Sequence, residues 1–336
     1  MFVLFHQLYL GLEILFVMPD LSEITRNFGF ITSDIFSRSL FLIQEEEYSN
    51  IAKCSSLEEI VMRLNKFYPN LNEEIKMDIF EIEDKIVSLL QYEVSEFDAV
   101  GFFPVLYFVE FHKIESLFHS MQKTFSQQQS RNDKEKDVGR FSLGVFPEIS
   151  NLKYCKSVKD IENLVLKYSG LEKYFLDVKI PNEVENIDFK SLYFHVMKNF
   201  YEFSYDFCIK NRLDHFLKII KTEMDYFVLD MCVDLSLKNR SGEYVPKYYT
   251  CKSLDSLRSN FEASLPSRQI CTRNELKEDI KTIENLISNQ REKQNRAYKE
   301  SFNIFGDISS IYSYFKLKEN EMKKILYIIE KTLNKD

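Results

Sequence analysis

The side chains of this sequence that could carry chemistry are five histidines, six cysteines and many carboxylates. His112 and His119 lie seven residues apart in a stretch free of Gly and Pro, so a helix would place both on one face, but no third metal ligand follows at a suitable spacing. The cysteines occur singly, with no CxxC pair, which argues against a zinc site and a dense disulfide framework and favours reduced thiols. The sequence therefore predicts neither a metal nor a cofactor.

Catalytic signatures are missing from the sequence as well. It has no GxGxxG, P-loop, GxSxG, HExxH or EF-hand pattern. The acidic runs 45–47 and 81–84 predict solvated helix surface, whereas general acid–base catalysis needs burial that shifts a carboxyl pKa. We therefore expect a protein that is not an enzyme.

Composition predicts an all-α protein in which these residues are positioned by long helices. The 336 residues include only 8 Gly and 7 Pro, and 45% are apolar, which is enough to bury a substantial core. With no Trp, that core must be packed with Phe, Leu and Ile. The net charge of −8 and the lack of a basic block argue against a nucleic-acid partner.

One short pattern occurs three times and indicates an internal repeat. CSSLEEI, CKSVKDI and CKSLDSL begin at Cys54, Cys155 and Cys251, and each predicts a serine N-cap at the start of an amphipathic helix. Two long helical stretches follow each copy: 72–92 and 100–123, then 189–211 and 213–235, then 274–301 and 308–334. Polar turns or loops are predicted at 127–139, 179–186 and 238–247. This order predicts one body of three similar units, about 18–125, 140–237 and 238–336.

The last predicted helix carries two stripes of residues. Apolar residues at helical spacing predict a buried stripe: Ile311, Phe315, Met322, Ile325, Ile329 and Leu333. A second stripe, Glu319, Lys323, Tyr327 and Glu330, has offsets of 4, 8 and 11 residues and so points in one direction. It is either a solvated face with a Glu319–Lys323 pair or an edge that contacts a partner through a tyrosine anchor.

The same helix carries a recognisable signature. KLKENEMKKILYIIE resembles the C-terminal pattern of the V-type ATPase subunit d family, which includes archaeal relatives, with Glu319, Glu321 and Glu330 at the family's acidic positions. The sequence departs from that pattern at three places. Lys323 and Lys324 replace Arg-Asn, Tyr327 replaces Trp, and Lys331 replaces Cys. Residues 27–64 are similar to the family's opening segment, with Arg38 at the family arginine, and the similarity extends over about 20–331.

The resemblance implies a funnel-like body of three helical units around a pseudo-threefold axis. It implies a non-catalytic central-stalk subunit on the cytoplasmic face of the vacuolar or endomembrane system, as a peripheral membrane protein. The subunit would be seated on the proteolipid ring, receive the rotor shaft and couple shaft torque to proton transport. The cytoplasmic domain of stator subunit a is a further implied partner. The alternative is a soluble helical adaptor that keeps the fold without joining the ATPase.

The apolar segment of residues 1–17 precedes the region of resemblance. It lacks a Lys or Arg before the apolar run, lacks a small-x-small cleavage site, and contains His6, Gln7 and Glu13, so it fits neither a signal peptide nor a membrane span. It is an upstream extension before Met18 or a lineage-specific segment. We expect that it does not cross the bilayer and that it is covered by the body, by a neighbouring subunit or by the lipid interface.

Overall fold

The structure is a computed structural model, and it describes residues 21–68, 71, 79–98, 103–126, 154–155, 159–160, 163, 170–178, 188–235, 273–304 and 306–333. Within these ranges the chain forms α-helices and no strand, which confirms the all-α prediction. The helices are α1 (Leu21–Ser39), α2 (Glu45–Ile51), α3 (Leu57–Leu64), α4 (Ile79–Asp98), α5 (Phe103–Ser126), α6 (Phe189–Asn211), α7 (Asp214–Leu235), α8 (Arg273–Ser301) and α9 (Ser309–Leu333), with a 3₁₀ turn at Glu172–Tyr174.

The predicted long helices agree closely with the observed ones. Helix α6 has the predicted bounds, and α7, α8 and α9 begin within one residue of the predicted starts. Helix α4 continues to Asp98, past its predicted end at Tyr92, because Val94 and Phe97 prolong its buried apolar face. Helix α5 begins at Phe103 with Pro104 in its first turn, where the missing N–H of proline costs no hydrogen bond.

Helix α3 begins at the serine cap that the first repeat predicts. The Ser56 hydroxyl accepts a hydrogen bond from the Glu59 backbone N–H at 3.3 Å, and the Glu59 carboxylate accepts one from the Ser55 N–H at 2.8 Å. This reciprocal pairing satisfies backbone donors that the first turn of a helix leaves open. The prediction is thus confirmed for the first copy. The serines of the second and third copies lie outside the described residues.

Helices α6 and α7 form an antiparallel pair joined by a tight turn. Asp188 caps the start of α6, because its carboxylate accepts a hydrogen bond from the Ser191 N–H. The helix ends before Arg212, which adopts a left-handed conformation with φ of 55°. The Leu213 N–H then donates to the Cys208 carbonyl at 2.9 Å, which closes the last turn. The turn sends α7 back along α6, with which it packs.

Helix α9 is the central element of the described structure. It packs against α1, α3, α4, α5, α7 and α8. The predicted apolar stripe is buried at Ile311, Phe315, Met322, Ile325 and Ile329, which confirms it for these five of its six members. The N-terminal helices and the later helices of the chain therefore meet on one helix near the C-terminus.

Tyrosine contributes more to the core than the sequence analysis predicts. The Tyr107 ring centroid lies 4.7 Å from that of Phe200, 5.2 Å from that of Tyr312 and 5.4 Å from that of Phe216, so it joins four helices. The prediction of a core of Phe, Leu and Ile is therefore incomplete. Each buried tyrosine brings a hydroxyl into the interior, and that hydroxyl needs a hydrogen-bond partner.

Several predictions from the sequence remain predictions. The division into three units and their arrangement around an axis are untested. The segment 1–17 and the links at 127–139, 179–186 and 238–247 lie outside the described residues. Of the cysteines within the described ranges, Cys54, Cys155 and Cys208 form no disulfide.

Candidate functional site

The four residues of the predicted partner stripe do not share one environment. Lys323, Tyr327 and Glu330 are exposed, and Tyr327 keeps 62% of its surface accessible. Glu319 has only 3% exposed, so it lies inside the protein and cannot be part of a surface edge. The predicted Glu319–Lys323 pair does form, and the Lys323 ammonium reaches inward to the Glu319 carboxylate. The exposed edge of α9 is therefore Lys323, Tyr327 and Glu330, and its partner role remains a prediction.

Glu319 lies in a buried cluster of charges between α9 and α5. Its Oε2 accepts a hydrogen bond from Lys316 Nζ at 2.7 Å and lies 3.4 Å from His112 Nε2. Burial alone would raise the pKa of Glu319, but the charges of Lys316, His112 and Lys323 outweigh it and hold that pKa well below its ordinary value. Lys316 Nζ also lies 4.9 Å from the Phe111 ring centroid. The cluster thus keeps a buried carboxylate ionised and fixes α9 against α5.

Glu321 is buried on another side of α9 and binds the N-terminal part of the chain. Its carboxylate accepts hydrogen bonds from the Ile43 backbone N–H at 2.6 Å, from the Tyr68 hydroxyl at 2.5 Å and from Lys318 Nζ at 2.6 Å. Burial and the charge of Glu321 raise the pKa of Tyr68 well above its ordinary value. Lys318 Nζ also lies 4.3 Å from the Tyr68 ring centroid. Three donors, one of them a cation, therefore compensate the buried charge.

Glu223 of α7 is the acceptor for three buried tyrosines. Its Oε2 accepts from the Tyr107 hydroxyl at 2.8 Å, and its Oε1 accepts from the Tyr298 hydroxyl at 2.6 Å and from the Tyr312 hydroxyl. Burial and the charge of Glu223 raise the pKa of all three tyrosines well above 10.0. The four residues come from α5, α7, α8 and α9, so one carboxylate connects all three predicted segments of the chain.

Two smaller carboxylate contacts follow the same pattern at the periphery. Glu110 accepts from Lys173 Nζ at 2.7 Å and from the Tyr174 hydroxyl at 2.5 Å. Arg38, the residue at the family arginine position, donates to Asp34 at 3.0 Å and to Glu96 at 3.2 Å. Burial lowers the pKa of Arg38, but the neighbouring carboxylates outweigh it and raise that pKa. These pairs tie α1 to α4 and α5 to the 3₁₀ turn.

The chemistry of these buried carboxylates is structural. Glu319, Glu321 and Glu223 are each surrounded by donors from their own protein, so their oxygen atoms are occupied by the fold. His112 and His119 are not joined by further ligands, and the described ranges contain no group of three or more His, Cys, Asp or Glu that could hold a metal ion. The arrangement is suited to holding helices together.

Burial of Glu223 and Glu319 is not among the predictions from the sequence, although both positions carry a signal. Glu319 lies four residues after Phe315 and three before Met322, which are both buried, so it occupies a position of the apolar stripe. Glu223 likewise lies four residues after Ile219 and four before Phe227. A carboxylate at such a position must be buried with partners, because an unpaired charge in the interior is costly.

The chain matches a known protein family over most of its length. No helix in the described ranges is both long and apolar enough to cross a membrane. A family model described as ATP synthase (C/AC39) subunit matches residues 32–335, nearly the whole chain. This chain therefore belongs to the ATP synthase C/AC39 subunit family, the family of V-type ATPase subunit d that its C-terminal signature resembles.

Proposed function

We propose that this chain is a non-catalytic central-stalk subunit of a proton-translocating V-type ATPase. It is seated on the cytoplasmic end of the proteolipid ring and passes torque from the rotor shaft to that ring. The observation that carries the proposal is the family match over residues 32–335. The vacuolar or endomembrane location, and contact with the cytoplasmic domain of stator subunit a, belong to the same proposal.

The packing and the buried polar contacts of the interior support this role, because a coupler must be stiff. Close-packed interiors transmit strain, because their side chains have little free volume in which to move. Here Glu223, Glu319 and Glu321 add polar contacts that link α9 or α7 to parts of the chain far apart in sequence. Hydrogen bonds are directional, so they resist the sliding of one helix past another better than apolar contacts alone. A body connected in this way would turn as one piece under torque.

The exposed edge of α9 offers this body a contact site for a partner. Tyr327 presents a large amphipathic ring to solvent, and Lys323 and Glu330 flank it with opposite charges. Tyrosine is one of the side chains that carry most binding energy in protein interfaces. An interface that carries mechanical load should bury more than roughly 1,000 Å², so this edge would be one part of a larger contact surface.

The proposal is tested by affinity purification of the tagged protein from detergent-solubilised membranes, with mass spectrometry of the proteins that accompany it. We expect the proteolipid and the rotor-shaft subunits among them. The alternative function, a helical adaptor that keeps the fold outside the ATPase, predicts a protein that elutes without any ATPase subunit. That second outcome would overturn the proposal.

The role of the α9 edge is tested separately with a matched pair of variants. Tyr327→Ala removes the anchor of the edge, and Tyr92→Ala removes a tyrosine of the same 62% exposure on α4. We expect Tyr327→Ala to lower the recovery of ATPase subunits several-fold, whereas Tyr92→Ala should leave it unchanged. Both variants should melt like the parent protein, because both side chains are exposed. Equal recovery with the two variants would reject the edge as a contact site while leaving the proposed function intact.

A further inference from the structure

The C-terminal half of α1 and the turn that follows it expose an apolar face to solvent. Phe30, Phe36, Leu40 and Phe41 keep 77%, 44%, 68% and 69% of their surface exposed. The opposite face of α1 is buried at Ile35 and packs towards α9. Four large apolar side chains on one exposed face are more than scattered surface residues, and such a patch marks a docking surface.

Small residues run along the middle of this face. Gly29, Ser33 and Ser37 are spaced four residues apart between the larger side chains. The Ser33 hydroxyl donates to the Gly29 carbonyl at 2.7 Å, and the Ser37 hydroxyl donates to the Ser33 carbonyl at 2.9 Å, so both donors are already used. Apart from the backbone of α1 and the two neighbouring residues, no atom of the described residues lies within 4 Å of the place a Cβ would take on Gly29. The face is therefore a shallow apolar groove that lets a second helix approach closely.

We propose that residues 2–17 of the same chain fold back as a helix along this groove. The segment FVLFHQLYLGLEILFV is strongly apolar, and its polar residues His6 and Glu13 are seven apart, so a helix would place them together and leave a broad apolar face. The three residues Met18, Pro19 and Asp20 separate it from α1. A link of this length and composition suits an antiparallel pair of helices.

The lengths of the two partners agree. Sixteen helical residues span about 24 Å, and the part of α1 from Leu21 to Phe36 also has sixteen residues, so it has the same length. Antiparallel pairing from the link would place residues 2–9 opposite the part of α1 between Phe30 and Phe36. The polar residues of the segment would then face solvent. A tether of three residues also holds the segment at an effective concentration on the order of millimolar, which favours it over a free partner. The segment would then cover Phe30 and Phe36, whereas Leu40 and Phe41 lie beyond its end.

The absence of tryptophan from the chain allows a direct test in the full-length protein. Phe5→Trp places the only indole in the segment, where acrylamide quenching of its fluorescence reports its exposure to solvent. In a second step Ser33→Arg introduces a long charged side chain into the groove. Ser49→Arg is the control, because Ser49 is an exposed helical serine that also donates to the carbonyl four residues before it.

We expect the indole fluorescence of the Phe5→Trp protein to be shielded from acrylamide. Adding Ser33→Arg should increase quenching several-fold and move the emission maximum to longer wavelength, and adding Ser49→Arg should change neither. Phe30→Glu should act like Ser33→Arg, and circular dichroism verifies that each variant is folded. Free quenching in the Phe5→Trp protein, or shielding that Ser33→Arg leaves intact, would overturn the proposal. So would shielding that depends on protein concentration, which indicates a second copy, or shielding that requires lipid vesicles.

Discussion

Removing a single tyrosine hydroxyl around Glu223 should destabilise the protein, and the size of the loss should depend on which carboxylate oxygen that hydroxyl contacts. Tyr298 and Tyr312 both donate to Oε1, whereas Tyr107 is the donor to Oε2. Tyr298→Phe leaves Oε1 with its second donor. Tyr107→Phe leaves Oε2 without a donor from the residues that the structure describes, in a site where the glutamate is buried. We therefore expect Tyr107→Phe to be the more destabilising change.

The size of the difference follows from the energy of hydrogen bonds to charged groups. A hydrogen bond to an ionised acceptor contributes about 1.5 to 3 kcal/mol, and a buried polar atom left without a partner adds a desolvation penalty of about 1 to 3 kcal/mol. Tyr298→Phe should thus lower the free energy of unfolding by about 1.5 kcal/mol. Tyr107→Phe should lower it by about 3 kcal/mol, because it removes the hydrogen bond and also leaves the charged oxygen unpaired.

Urea unfolding followed by circular dichroism measures both changes. Tyr327→Phe is the control, because it removes an exposed hydroxyl and should change stability by less than about 0.5 kcal/mol. The comparison of midpoints is meaningful when the variants share the slope of the parent protein. Equal losses for Tyr107→Phe and Tyr298→Phe, or a larger loss for Tyr298→Phe, would refute the reasoning about the two oxygens.

Three further predictions concern pH and backbone conformation. Burial and Glu223 raise the pKa of Tyr107, Tyr298 and Tyr312 in the folded protein. These hydroxyls should therefore contribute their full stabilisation below pH about 10 and lose it as the pH rises further, which urea unfolding at a series of alkaline pH values would measure. The pKa of Glu319 lies well below 4.5 despite its burial, so its carboxylate stabilises the fold above that pH and loses this effect as the pH falls; Glu319→Gln should therefore flatten the acid side of the stability profile. Arg212→Gly should raise the free energy of unfolding by about 0.5 to 1 kcal/mol, measured by urea unfolding, because glycine adopts the left-handed conformation without steric cost.

The sequence allowed the long helices to be predicted because their apolar residues recur at helical spacing over many turns. The bounds of α6 and the buried stripe of α9 depend on this local signal alone. The serine cap of α3 was predictable for the same reason, since it involves only residues within one turn. Such features need no knowledge of what packs against the helix.

The buried carboxylate sites could not be predicted in the same way. Glu319 and Glu330 have nearly the same direction around α9, yet Glu319 is buried and Glu330 is exposed, because burial depends on which helices pack at each level of α9. The donors to Glu223 lie 75 to 116 residues away in the chain, so no local pattern joins them. Their partners are set by tertiary packing, and the sequence indicates only that a carboxylate in an apolar stripe needs some partner.

Coupling between ATP hydrolysis and proton movement is the central claim, and a removal and replacement experiment measures it most directly. Membrane vesicles carrying the ATPase are depleted of this subunit, and ATP-driven proton uptake is followed before and after the purified protein is added back. The proposed function predicts that uptake is lost on depletion and restored by the added protein, while ATP hydrolysis by the catalytic head persists throughout. Proton uptake that continues at the full rate in depleted vesicles would contradict it.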